Sequence, residues 1–99
     1  MTQARIMDGT APARRIVEDT ARRAADLTAR TGVVPCLATV LVGEDPASVT
    51  YVRMKQNRCR KAGITSRHVA LPASTSTAEL VGTLRELSAD PTVHGILLQ

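Results

Sequence analysis

The apolar positions change period along the chain, and each change marks an element. From Pro12 to Arg30, Ala13, Ile16, Val17, Ala21, Ala24 and Leu27 follow the 3.6-residue period, with Arg14, Arg15, Glu18, Asp19, Arg22, Arg23 and Asp26 opposite. This predicts a helix, ended by Gly32 as the residue just past a C-terminus. A short strand around Arg5–Met7 and an Asp8-Gly9 turn are expected before it. Cys36 to Val42 is nearly all apolar and β-branched, as in a strand covered on both faces. Asp45 then offers an N-cap and Pro46 fills the first helical position of a second helix, which runs to Ala62 and stops at Gly63. Ile64 to Leu71 reads as a strand that Arg67 and His68 make less buried, near an edge. A third helix opens with the capping box Ser76-Thr77-Ala78-Glu79, shows Leu80, Val81, Leu84 and Leu87 on one face, and closes at Asp90-Pro91. Val93 to Leu98 is the last strand. The order β-α-β-α-β-α-β predicts an α/β fold with a mostly parallel sheet covered by helices. Ligands of such sheets sit outside the carboxyl ends of the strands. Here that edge holds the Gly43-Glu44-Asp45-Pro46 turn and Gln99.

Composition narrows the class. Of 99 residues, 43% are apolar and 22% charged, the balance of a globular chain. There is no Trp, no Phe and a single Tyr, Tyr51, so the core is aliphatic and base stacking on aromatic rings has one ring to use. Thirteen Lys plus Arg against nine Asp plus Glu give +4, spread along helix faces, and no nucleic-acid partner is expected. No apolar run approaches the ~20 residues that cross a bilayer, and the N-terminus lacks the apolar stretch of a secretory signal. A cytoplasmic protein without a membrane partner is the expectation. Cys36 and Cys59 are too far apart for a CxxC pair and read as reduced, half-buried residues. His68 and His94 share no ligand spacing with them or with each other, so no metal site is expected. The chain halts inside the apolar run Gly95-Ile96-Leu97-Leu98-Gln99, which suggests a fragment.

One residue breaks the pattern of the second helix. At 100° per residue with Ser48 at zero, Val52 falls at about +40°, Cys59 at about +20°, Lys55 at about −20°, Ala62 at about −40° and Tyr51 at about −60°. Arg53, Asn57, Arg60 and Lys61 lie around the back. Lys55 therefore sits in the inward-facing stripe, with Tyr51 one turn before it and Cys59 one turn after. Desolvation there would lower the lysine's pKa and suit it to moving protons. The plainer reading is a lysine that snorkels, its methylenes on apolar surface and its ammonium in water. Against that stands its company, since Tyr51 and Ser48 converge with it where the fold class expects a ligand.

Tyr51-x-x-x-Lys55 has the spacing of the Tyr/Lys pair of short-chain dehydrogenases, but no GxGxxG or GxxxxGK[ST] run accompanies it. The segment Leu37–Lys55, with Val42-Gly43-Glu44-Asp45-Pro46-Ala47-Ser48 leading to Tyr51-Val52 and Lys55, instead resembles the signature region of bifunctional methylenetetrahydrofolate dehydrogenase/cyclohydrolase. Ile6-Met7-Asp8-Gly9 resembles that family's opening. Asp90-Pro91, Val93, and His94-Gly95-Ile96-Leu97-Leu98-Gln99 resemble a later block of it. The resemblance implies that residues 1–99 are the tetrahydrofolate-binding catalytic domain, truncated at its C-terminus and lacking the dinucleotide-binding (Rossmann) domain. It implies oxidation of 5,10-methylenetetrahydrofolate to the methenyl form with NADP, then hydrolysis to 10-formyltetrahydrofolate. Lys55 would be the catalytic acid/base and Tyr51 would pack on the folate ring and orient Lys55. Gln99 would hold Lys55 at the reacting centre, and Ser48 would lie beside it. A folate partner and a homodimer are implied for the full-length protein, with no cofactor-binding residue in this chain. The competing expectation is a non-catalytic α/β interaction module that uses the Tyr51/Lys55 face for a partner.

Overall fold

The alternation of periods is realised in the computed structural model, which describes residues 4–99. α1 (Thr10–Thr31), β1 (Cys36–Val42), α2 (Pro46–Lys61), β2 (Thr65–Leu71), α3 (Thr77–Ala89) and β3 (Gly95–Leu98) follow in order. β1 is central in a parallel sheet of order β2-β1-β3. The apolar run of β1 thus has a strand on either side, and Arg67 and His68 lie on an edge strand, as their polarity predicts. The expected strand around Arg5–Met7 does not form. These residues have no regular structure, and Ile6 and Met7 are 93% and 96% exposed. A strand needs a neighbour for its N–H and C=O groups, and none of the three strands pairs with this segment.

Local chemistry fixes the ends of the elements. Asp45 caps α2, accepting from the Ser48 N–H at 3.1 Å, with Pro46 behind it in the first turn. Ser76 caps α3 by accepting from the Glu79 N–H, and its hydroxyl donates to the Glu79 carboxylate, both at 3.1 Å. Gly32 ends α1 with φ +72°, a left-handed conformation that costs most residues about 1–2 kcal/mol.

Strand alternation splits the sheet into two faces. Ala38 and Val40 of β1, with Val69 and Leu71 of β2 and Ile96 of β3, meet Leu80, Leu84 and Leu87 of α3. Burying each large aliphatic side chain there contributes about 1.5–3 kcal/mol. The other face carries Leu37, Thr39 and Leu41, and it looks toward α2. One hand of crossover explains both helices: β1–α2–β2 steps to one side, and β2–α3–β3 crosses back over β1 on the opposite face.

α1 is the outlier. Of its apolar stripe only Ala24 is buried, and Ile16 is 67% exposed. It packs chiefly on α2. The radius of gyration is 17.1 Å, against about 13 Å for a rounded domain of this length, because the 22-residue helix projects.

Candidate functional site

The carboxyl edge of the sheet brings together two residues 44 positions apart. Beyond Leu98 the ladder continues for one step, the Gln99 N–H donating to the Val40 carbonyl at 2.8 Å. Alternation then turns the Gln99 side chain to the α2 face. There the Lys55 Nζ donates to Gln99 Oε1 at 2.5 Å. An ammonium has only donors, so the glutamine must present its oxygen and keep its NH2 free to donate elsewhere. Both side chains are half-buried. The inward stripe of α2 is confirmed by Val52, Cys59 and Ala62, all buried, and Lys55 lies among them.

A groove of about 320 Å³ runs beside this pair, lined by Leu37 of β1 and by Tyr51, Met54, Lys55, Arg58 and Cys59 of α2. Positions 51, 54, 55 and 58 share one helix face by their spacing of three and four. Tyr51 is 55% exposed and so shows its ring to the groove rather than to the core. An apolar wall that includes Lys55, with the Gln99 amide bonded to its ammonium, suits a planar ligand with polar edges.

Ser48 is placed differently from expectation. Its hydroxyl donates to Asp45 Oδ2 at 3.3 Å, and it lies about 10 Å along the helix axis from Lys55. A serine three residues past a capping aspartate has a nearer partner than the site, and that local contact wins. The polar tips that meet are thus two, Lys55 and Gln99, with Tyr51 alongside.

Three features had no sequence signal. His94 lies just before β3, not within a strand, and holds both backbone groups of Cys36: its Nδ1 accepts from the Cys36 N–H at 3.0 Å, and its own N–H donates to the Cys36 carbonyl at 2.9 Å. Thr39 is 1% exposed, and its hydroxyl is satisfied by His68 Nδ1 at 3.1 Å. Met54 and Arg58 line the groove, which the helix wheel makes visible only once its far wall is known. Both cysteines are free and buried. Burial, and then neighbouring Cys36, push the Cys59 thiol above its ordinary pKa, so it is a poor nucleophile. Among the described residues no cluster of His, Cys, Asp and Glu could hold a metal ion. No helix described is long and apolar enough to cross a membrane.

Comparison with known proteins follows the same lines. The family model of the tetrahydrofolate dehydrogenase/cyclohydrolase catalytic domain matches residues 7–99. The bifunctional protein FolD 1 of Streptomyces avermitilis is 70% identical over 96 residues, which cover 97% of this chain and 33% of that protein. The bifunctional protein FolD of Shouchella clausii is 52% identical over 99 residues, covering 100% and 35%. Among solved structures, the Campylobacter jejuni FolD enzyme superposes with a TM-score of 0.89 at 38% identity, covering 93% of this chain and 32% of that one. The Trypanosoma brucei enzyme, complexed with NADP cofactor and inhibitor, superposes with a TM-score of 0.92 at 31% identity, covering 100% and 34%. The chain spans about a third of the length of the curated relatives it matches.

Proposed function

This chain belongs to the tetrahydrofolate dehydrogenase/cyclohydrolase family, and on that premise we propose that it forms the folate-side half of the active site of a bifunctional enzyme. The full-length protein oxidises 5,10-methylenetetrahydrofolate to the methenyl cation and hydrolyses that cation to 10-formyltetrahydrofolate. It works as a cytoplasmic homodimer. The observation that carries the reading is the Lys55–Gln99 hydrogen bond at the carboxyl edge of the sheet, beside the exposed ring of Tyr51.

NADP is the hydride acceptor that this chemistry requires, and the residues described here do not fit it. A pyrophosphate needs a glycine-rich turn and the positive end of a helix. β1 leads instead into Gly43-Glu44-Asp45, whose two acids repel phosphate at the start of α2. The cofactor therefore belongs to residues outside this chain.

Hydrolysis is the step these residues can serve. Tyr51 stacks on the folate and fixes the bridging carbon near Lys55. The Lys55 ammonium first gives up a proton to solvent, and water then adds to that electron-poor carbon while the amine takes the water's proton. The ammonium so formed protonates N5 as the bond from the carbon to N5 breaks, leaving the formyl group on N10. The remaining proton returns to the lysine, which restores the ammonium, and the proton released at the start balances the reaction. Gln99 holds the lysine nitrogen throughout. In the full-length protein, Lys55→Met is expected to slow loss of the methenyl absorbance by about 10²–10⁴-fold. A hydrolysis rate equal to wild type overturns the role of Lys55.

A further inference from the structure

Two sulfur side chains line the groove beside Lys55, and they differ in what can reach them. Cys59 is buried, and burial, then neighbouring Cys36, raise its thiol's pKa, so an oxidant in water meets little thiolate there. Met54 is 53% exposed. It stands three residues after Tyr51 and four before Arg58, on the helix face that makes the α2 side of the groove. A thioether has no proton to lose before it reacts with a peroxide, so access decides, and Met54 has it.

We propose that Met54 is an oxidation site that controls folate affinity: a hydroperoxide adds one oxygen to its sulfur and weakens binding, and removal of that oxygen restores it. The inference rests on the folate reading above and adds regulation to the same groove. With hydrogen peroxide, the sulfur lone pair attacks one oxygen, the O–O bond breaks, and the other oxygen leaves as water with both hydrogens. Sulfur loses two electrons and the peroxide gains them. The product is a sulfoxide, polar and chiral where the thioether was apolar and pliable. Apart from the tips of Tyr51, Lys55 and Arg58, the groove is lined by hydrocarbon and sulfur. A planar ligand lying on that wall would strip water from the new oxygen without giving it a partner. The wall is partly open to water, so the loss falls near the low end for an unpaired polar group, about five- to tenfold in affinity. The Lys55–Gln99 hydrogen bond does not involve Met54, so the effect belongs to KM and not to kcat.

The test treats full-length wild type and Met54→Leu with hydrogen peroxide, removes the excess with catalase, and compares each protein with its own untreated sample. Readouts are kcat and KM for methenyltetrahydrofolate and mass spectrometry of proteolytic peptides. Met7, 96% exposed and outside the groove, reports that the peroxide acted. Wild type is expected to gain one oxygen at Met54, with KM raised about five- to tenfold and kcat held within about twofold. The two stereospecific methionine sulfoxide reductases, with a dithiol as electron donor, return KM to its starting value. Met54→Leu has no sulfur at this position, and its KM does not move on treatment. A wild-type KM unmoved after full oxidation of Met54 overturns the proposal, as does a loss carried by kcat alone. So do a Met54 that stays reduced while Met7 is oxidised and a KM that rises equally in treated Met54→Leu. In each case turnover by untreated wild type leaves the folate reading standing. No hydrolysis by the untreated wild type overturns the two together.

Discussion

Gln99→Ala in the full-length protein separates a glutamine that acts through Lys55 from one that acts on the substrate. The contact removed is a hydrogen bond from an ammonium, and bonds to charged groups are worth about 1.5–3 kcal/mol. That range corresponds to about 10- to 150-fold in rate. Both side chains are half-buried, so water screens the pair and the lower end, about tenfold, is expected. Lys55→Met supplies the second arm. Methionine keeps the apolar stem among Val52, Cys59 and Leu37 and deletes only the charged tip, so folding is retained while hydrolysis falls about 10²–10⁴-fold. Independent effects would multiply in the double variant. If Gln99 works by holding the lysine nitrogen, Lys55→Met with Gln99→Ala is no slower than Lys55→Met alone, within about twofold. The assay is the decay of methenyl absorbance, with kcat and KM resolved for all four proteins. A further tenfold loss of kcat from Gln99→Ala in the Lys55→Met background refutes the reasoning and puts the amide on the reacting atoms.

Other consequences can be measured directly. Hydrogen bonds from the Thr92 hydroxyl and N–H and from Arg67 lower the Asp90 carboxyl to about 2. The fold thus favours the ionised form, and its stabilisation is complete above about pH 4 and lost as pH falls through about 2. Urea midpoints of wild type and Asp90→Asn should differ at neutral pH and converge near pH 2; a constant gap would contradict this. Gly43 holds φ +83°, and an added Cβ would meet Ala73 only at an ordinary 3.6 Å, so Gly43→Ala should cost about 1–2 kcal/mol from the backbone alone. An unchanged urea midpoint would show that the turn relaxes. Cys59, buried and with its thiol pKa raised, should resist alkylation at pH 8 until urea is added, followed by mass spectrometry of its peptide. Fast labelling of the folded protein would contradict that.

What the sequence makes legible here is local. Asp45 and Ser76 cap the helices they were expected to cap, because an N-cap joins residues only two or three apart. Arg67 and His68 mark an edge strand because polar side chains there can reach water. The place of Lys55 on α2 follows from the helix period. Contacts that cross the chain are different. Nothing in the period of α2 indicates that Gln99 meets Lys55; that came only from family resemblance. Likewise, no pattern links His94 to Cys36. The Arg5–Met7 segment has strand-like residues, yet its state depends on a neighbour its own pattern cannot supply. The Ser48 hydroxyl does not meet Lys55, because Asp45 engages it at shorter range.

The pairing of β3 with β1 has a further meaning. A strand sends successive side chains to opposite faces, so one residue of slippage would turn Gln99 toward α3 and leave Leu98 facing the lysine. Two contacts guard against that. His94 grips both backbone groups of Cys36, and opposite Leu37 sits Gly95, where any Cβ would come within 3.2 Å of the Leu37 side chain. Moving Ile96 into that place would force a branched side chain into the same space. Misalignment therefore leaves a chain that still forms a sheet yet puts a hydrocarbon where the amide should be. For this protein, the alignment that sets Gln99 against Lys55 is fixed at the far end of the strand from that pair.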